Sequence, residues 1–324
     1  MSVFKLTSCL KAQIENFINL RRLSGTDYSS QIRLLKYFDN FLVEVGYCEA
    51  RLTRQITDHY LASLCGISPR TRSNRFSVVR QLCEYLARND SLSYVPEPLP
   101  MPSSYSAHQP YIYPYNQVRN LLAAASELSP PGSLRPHTYR TLFGILYSTG
   151  LRIGEAINLN LEHFQLAEQR LFIAQGKFRK ARWIVLSSST CRALQQYRER
   201  RLQKKPRSLD SPFLLNEGHR RLSYSPVNRS FKCLLKQCGI VEEKQVGPRM
   251  HDLRHTFAVH RLLSWYRDGH DVNARLTSLA TYMGHVDIRS TRVYLRPTTE
   301  LLREVHLRFH THYLEKVKLK GERS

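Results

Sequence analysis

His251–Thr256 reads HDLRHT, Tyr282–His285 reads YMGH, and Arg292–Pro297 reads RVYLRP. Imidazoles and guanidinium groups recur here around one late tyrosine, an inventory suited to chemistry on a phosphodiester. Arg254 offers a planar fork of donors that fits the non-bridging oxygens of a phosphate. His251 and His285 can donate hydrogen bonds or move protons near neutral pH. Tyr294 carries a hydroxyl able to attack phosphorus. Arginines that neutralise the developing charge leave no chemical need for a metal. Helical spacing puts His251, Arg254 and His255 on neighbouring positions of one turn, with Phe257, Ala258, Leu262 and Leu263 as the inner face. The histidines at 251, 255, 260 and 270 also invite a metal reading. Against it stand the lack of an HExxH pattern, the lack of a cysteine partner, and adjacent arginines that repel a cation. No metal and no cofactor is expected.

Upstream, Thr149–Glu155 reads TGLRIGE. Arg152 stands among Leu151, Ile153 and Ile157, so it is either an ion-paired structural residue or one that grips a ligand. Glu155, three residues on, lies on the same helical side and can orient it. Arg170–Ala174 and Arg182–Leu186 are rich in β-formers and flank Gly176–Lys180, which predicts a hairpin, preceded by a short strand before Glu168. Leu276–Met283 reads as a helix ended by Gly284, with His285 directly after it.

An HxxR, then GH, then a tyrosine nine residues later, all downstream of TGLRIGE, resembles the tyrosine recombinase (phage integrase) family. The resemblance runs from about Asp27 to Pro297 and is strongest from Thr149 onward. It implies a mainly α fold: a helical N-terminal DNA-binding bundle, then a mixed α/β catalytic domain with a small β-hairpin or three-stranded sheet. It assigns catalysis to Arg152, Lys177, His251, Arg254, His285 and Tyr294, with Glu155 and His255 in support. Lys177 follows Gly176 at the position of the family's hairpin lysine. Where the family commonly has a second glycine, Phe178 stands here, and Lys180 is the alternative. Met283 replaces the more usual leucine before the glycine. The implied reaction is site-specific strand exchange through a 3′-phosphotyrosyl link, with a 5′ hydroxyl leaving and neither metal nor ATP in the chemical step. Two other readings are a DNA-binding relative that has lost its chemistry and a type IB topoisomerase that relaxes DNA without exchange. The implied partners are double-stranded DNA and further copies of the chain, a monomer when free and a cyclic tetramer in synapsis.

The 324 residues suffice for two domains, and 42% hydrophobic residues supply their cores. The formal charge of +23 favours a polyanionic partner. It is uneven: Lys and Arg number 13 against 9 Asp and Glu up to Pro100, and 36 against 17 beyond it, so the excess belongs to the later part. Val95–Pro114, VPEPLPMPSSYSAHQPYIYP, breaks helices and reads as a linker. The expected organisation is a helical core-DNA-binding domain over 1–100, a linker over 101–113, a catalytic domain over 114–300, and a C-terminal helix with a basic tail over 301–324.

Within the first domain, Ile14, Phe17 and Ile18 mark an amphipathic start and Ser29–Gly46 a longer helix. Thr53 caps a third helix, and Ser68 with Pro69 opens a fourth. Arg70, Arg72, Arg75 and Arg80 on this fourth helix either follow a phosphate backbone or form a solvated face. Lys180 and Arg182 in the hairpin are read as further DNA contacts. Thr190–Gln203 is expected to be a helix with Arg192, Arg198, Arg200 and Arg201 on its exterior. Seven cysteines without a CxxC pair suggest free thiols in a reducing compartment. With no long apolar run to span a membrane, a cytoplasmic protein is expected.

Overall fold

The computed structural model describes residues 5–25, 28–100, 110–165, 167–174, 181–204, 208–241 and 247–284. The chain divides into two compact units, Met1–His108 and Gln109–Ser324.

The first unit is helical: α1 (Lys11–Leu23), α2 (Ser29–Glu44), α3 (Arg54–Ser63) and α4 (Pro69–Ala87). Side-chain caps set where two of these begin. Thr53 Oγ1 accepts from Ile56 N at 3.5 Å, and Ser68 Oγ accepts from Thr71 N at 3.3 Å with Pro69 in the first turn, which satisfies amide groups that the helix itself leaves open. Phe17, Leu35, Phe38, Tyr60, Phe76 and Leu82 face one core. Full burial of such side chains stabilises by roughly 1.5–3 kcal/mol each before chain entropy is counted. The buried Asp39 carboxylate accepts from Thr7 N (2.9 Å), Ser8 N (3.1 Å) and Ser8 Oγ (2.5 Å), pinning the segment before α1 to α2.

The second unit holds α5 (Tyr115–Ser126), α6 (Arg135–Thr149), the short α7 (Ile153–Ile157), a three-stranded sheet, then α8 (Ser188–Lys204), α9 (Tyr224–Gln237), α10 (Asp252–Arg267) and α11 (Val272–Met283). The sheet is antiparallel, β1 (Phe164–Gln165), β2 (Arg170–Ile173) and β3 (Arg182–Val185), in that order. The mainly helical fold with a small sheet is the one the sequence implied. In the β2–β3 register Leu171 faces Ile184 and Ile173 faces Arg182. Opposed residues share a face, so Arg182 joins the inward side with the buried Leu171, Ile173 and Ile184. Among the described residues no helix is long and apolar enough to cross a membrane.

Two expectations need correction. Arg201, expected on the exterior of α8, is fully buried: its Nε and Nη2 donate to Pro212 O at 3.2 and 2.8 Å, and Nη2 also reaches Ser211 Oγ at 2.9 Å. The segment after α8 folds back over it and supplies acceptors that helical spacing does not reveal. Helix α11 begins at Val272 rather than Leu276, because the Asp271 carboxylate caps it, accepting from Asn273 N (2.9 Å) and Ala274 N (3.2 Å).

Candidate active site

A helix leaves its last carbonyls without intrahelical partners and carries partial negative charge there. At the end of α11 three consecutive carbonyls each accept from a different arginine. Arg182 Nε donates to Tyr282 O at 3.1 Å, Arg254 Nη2 to Met283 O at 2.7 Å, and Arg152 Nη2 to Gly284 O at 3.0 Å. These arginines come from β3, from the first turn of α10, and from the residue that opens α7. They lie 100, 29 and 132 residues from their acceptors. Arg254 also donates through Nη1 to Gly150 O, at the end of α6. The α6 and α11 ends are alike. Each closes on a left-handed glycine, Gly150 at φ 63° and Gly284 at φ 69°, and each glycine offers its carbonyl to an arginine. A Cβ at Gly284 would stand 2.7 Å from the Arg182 guanidinium.

Glu155 ties two of the three arginines together. Arg182 Nη1 and Nη2 grip its two carboxylate oxygens at 3.0 Å each, and Arg152 Nη1 donates to Oε1 at 2.9 Å. Arg152 N donates to Oε2 at 2.9 Å, a capping bond at the start of α7. Burial alone would raise the Glu155 carboxyl. The hydrogen bonds from Arg182 and Arg152, with their charges, outweigh it and hold the group below its ordinary value. The sign follows: a depressed folded pKa contributes stability above the unfolded value, and that contribution is lost as pH falls through the folded one. Glu155 is therefore an anion at neutral pH. Of the two flanking side chains, Arg152 keeps 24% of its surface open and Arg182 only 13%.

Arg254 is almost wholly buried, at 1% exposure, whereas His251 is exposed at the start of α10. Neighbouring protein atoms and then the Arg254 charge lower the His251 imidazole below 6.5, against a smaller opposing pull from Asp252. It is neutral at pH 7 and able to accept a proton. His255 lies one turn on, its ring edge-on to that of His251 with centroids 5.0 Å apart. His260 faces elsewhere: its Nδ1 pairs with Tyr147 Oη at 3.0 Å and its ring stacks on Tyr115. Among the described residues no group of three or more His, Cys, Asp and Glu is arranged to hold a metal ion.

The structure thus brings Arg152, Glu155 and Arg254 to one helix end, with His251 and His255 on the first turns of α10. Lys177, Lys180, His285 and Tyr294 lie outside the described residues, as does the C-terminal tail. Arg182, read as a DNA contact, instead turns its guanidinium inward onto Glu155 and Tyr282 O. The signal for this was present: Ile184 is plainly a core residue, and strand alternation puts residue 182 on the same face. On α4, Arg70 is exposed while Arg72, Arg75 and Arg80 are half-buried. Arg75 lies over the Tyr37 ring at 4.5 Å, and Arg80 binds Pro96 O at 2.9 Å and Glu84 at 2.7 Å.

Residues 113–300 match the model of the phage integrase family. A Sinorhizobium fredii protein named as a candidate integrase/recombinase, y4rB, is 33% identical over 306 residues, 92% of this chain and 96% of the relative. The tyrosine recombinase XerD of Listeria innocua is 30% identical over 248 residues, 76% of this chain and 77% of its own. Among solved structures, the Tn1549 transposon integrase in complex with transposon right-end DNA covers 94% of this chain with all of its own, at a TM-score of 0.65 and 16% identity. XerH recombinase bound to its difH substrate matches at a TM-score of 0.59 and 19% identity, over 81% of this chain and 73% of its own. At these identities the structural likeness speaks to the fold.

Proposed function

The chain belongs to the phage integrase family, and from that premise we propose that it is a site-specific DNA recombinase that cuts and rejoins strands through Tyr294. The observation that carries this reading is the meeting of Arg152 and Arg254 on adjacent carbonyls of α11, at the residue that precedes His285 in sequence.

In the proposed reaction Tyr294 Oη attacks the scissile phosphorus and loses its proton. The P–O5′ bond breaks, leaving a 3′-phosphotyrosyl link, and the departing 5′ oxygen takes a proton from Lys177. His251, neutral at pH 7, receives the tyrosine proton. Arg152 is the guanidinium most open to a phosphate oxygen, and Glu155 holds it in place. Arg254 lies behind, with two carbonyls as acceptors. Its charge acts on the phosphate from a largely desolvated position, where the low local dielectric strengthens it. His285 joins the phosphate contacts. A 5′ hydroxyl of a second strand then attacks the link, giving its proton to Lys177, while Tyr294 Oη leaves and recovers its proton from His251, completing exchange. The phosphoester bond is conserved throughout, so rejoining needs no nucleotide hydrolysis.

The helical first unit is proposed to grip duplex DNA, with Arg70 the most accessible of the α4 arginines. Two duplexes held by four copies would supply the partner strands. The proposal for the tetramer rests on the family resemblance alone.

Trapping tests the chemistry. A DNA site nicked so that the leaving 5′ segment diffuses away should accumulate a covalent protein–DNA band with the wild type and none with Tyr294→Phe. The acid limb of the rate should fall below pH 6.5, because His251 is held neutral. A covalent band that persists in Tyr294→Phe would remove Tyr294 from its role. Relaxation of supercoiled DNA by single copies, without pairing of two sites, would favour the topoisomerase reading.

A further inference from the structure

We propose that Arg182 is a positioning residue of the cleavage site: through Glu155 it fixes the aim of Arg152, and through Tyr282 O it fixes the end of α11. The inference rests on the recombinase reading and concerns a residue to which that reading gives no step.

All three guanidinium nitrogens of Arg182 are engaged inward. Two take the Glu155 carboxylate in a fork, and the third takes a carbonyl at the end of α11. The planar fork has a fixed geometry, so it fixes the orientation of the carboxylate plane as well as its distance. Glu155 Oε1, held in that plane by Arg182, is the acceptor for Arg152 Nη1. The other η-nitrogen of Arg152 rests on Gly284 O, only two residues from the carbonyl that Arg182 holds. The bonds therefore close a ring: Arg182 to Glu155, to Arg152, to Gly284 O, and back along the backbone to Tyr282 O. A closed ring resists rotation of Arg152 in a way one hydrogen bond does not. Gly284 completes it, since a side chain there would meet the Arg182 guanidinium. Only 13% of the Arg182 side chain is open, which leaves little of it to meet a DNA phosphate.

The experiment separates positioning from DNA contact. Full-length Arg182→Gln, Arg182→Lys, Glu155→Gln and the Gln/Gln double variant are compared on the nicked substrate, with affinity measured across a salt series. For Arg182→Gln the single-turnover cleavage rate should fall about 100-fold, the scale of a misaimed group near 1 Å, with the salt dependence of binding unchanged. Arg182→Lys should recover little, because an ammonium keeps the charge but loses the fork. The double variant should cleave no more slowly than the worse single variant, since both changes open the same ring. A salt slope lowered by about one counterion in Arg182→Gln would mark a phosphate contact and overturn the proposal. So would wild-type cleavage by Arg182→Gln, or losses that multiply in the double variant. If Arg182→Gln fails to fold, Arg182→Lys and Glu155→Gln still decide: both must lose cleavage while staying folded at the assay temperature and binding DNA with the wild-type salt slope. Should the wild type itself form no covalent band, it is the recombinase reading that fails.

Discussion

On α4 the arginines lie along a helix surface. Arg70 is exposed, Arg75 leans on Tyr37, and Arg80 pairs with Glu84 one turn away. At the end of α11 the arginines arrive from three separate segments and stop at the same three carbonyls. Net positive charge is common to both regions; what differs is how each cation is held. Arg70, exposed on α4, should give up little when replaced, since exposed charges contribute about 0–1 kcal/mol; Arg75 and Arg80 are partly held by Tyr37 and Pro96 O. A buried arginine is placed by acceptors elsewhere in the fold, and those acceptors are left unsatisfied when it goes. The first arrangement suits attraction to a long anion, and the second suits the exact placement of one phosphate.

The largest effect that would sharpen this contrast is expected at Arg254. Arg254→Gln takes donors from Gly150 O and Met283 O, at about 1–3 kcal/mol for each buried acceptor left unpaired. Thermal melting should drop by several degrees, and covalent-complex formation by about 1000-fold on the scale of a lost charge-stabilising donor. A variant as stable and active as wild type would erase the distinction between the regions. Gly284→Ala should be intermediate. Its left-handed backbone costs an L-residue about 1–2 kcal/mol, and the new methyl group displaces Arg182. A lower denaturant midpoint with unchanged slope, together with about tenfold slower cleavage, is the expected result. The smallest effect should come from Arg70→Gln: stability within about 0.5 kcal/mol of wild type, and a salt slope of DNA binding reduced by about one. Stability lost beyond about 2 kcal/mol would show that α4 holds its arginines as tightly as the second unit does.

Much of this was legible in the sequence because it is local. Thr53, Ser68 and Pro69 announce helix starts, Gly284 ends α11, and the alternation around Ile184 gives the hairpin. Arg152, Glu155 and Arg254 were readable as a set from their motifs, and the structure brings them together. Strand alternation gave the inward side for Arg182, but the acceptor on which each guanidinium group ends could not be read. Arg201 and Arg182 looked like surface cations because their acceptors include Pro212 O and Tyr282 O, which are backbone atoms that no residue type advertises. Arg182 also depends on a carboxylate 27 residues upstream. A pattern of charges in a chain therefore tells more about total field than about which cation is free to meet a ligand.

The three tethers on α11 have a consequence for timing. Their anchors enter the chain at Arg152, Arg182 and Arg254, but the helix end that receives them is synthesised after all three. Without the end of α11, Arg152 and Arg182 still share Glu155, but Arg254 has no acceptor in common with them, and a shortened chain that stops before Gly284 cannot close the ring. The linkage of three guanidinium groups to one helix end is therefore complete only in a chain made at least as far as Gly284.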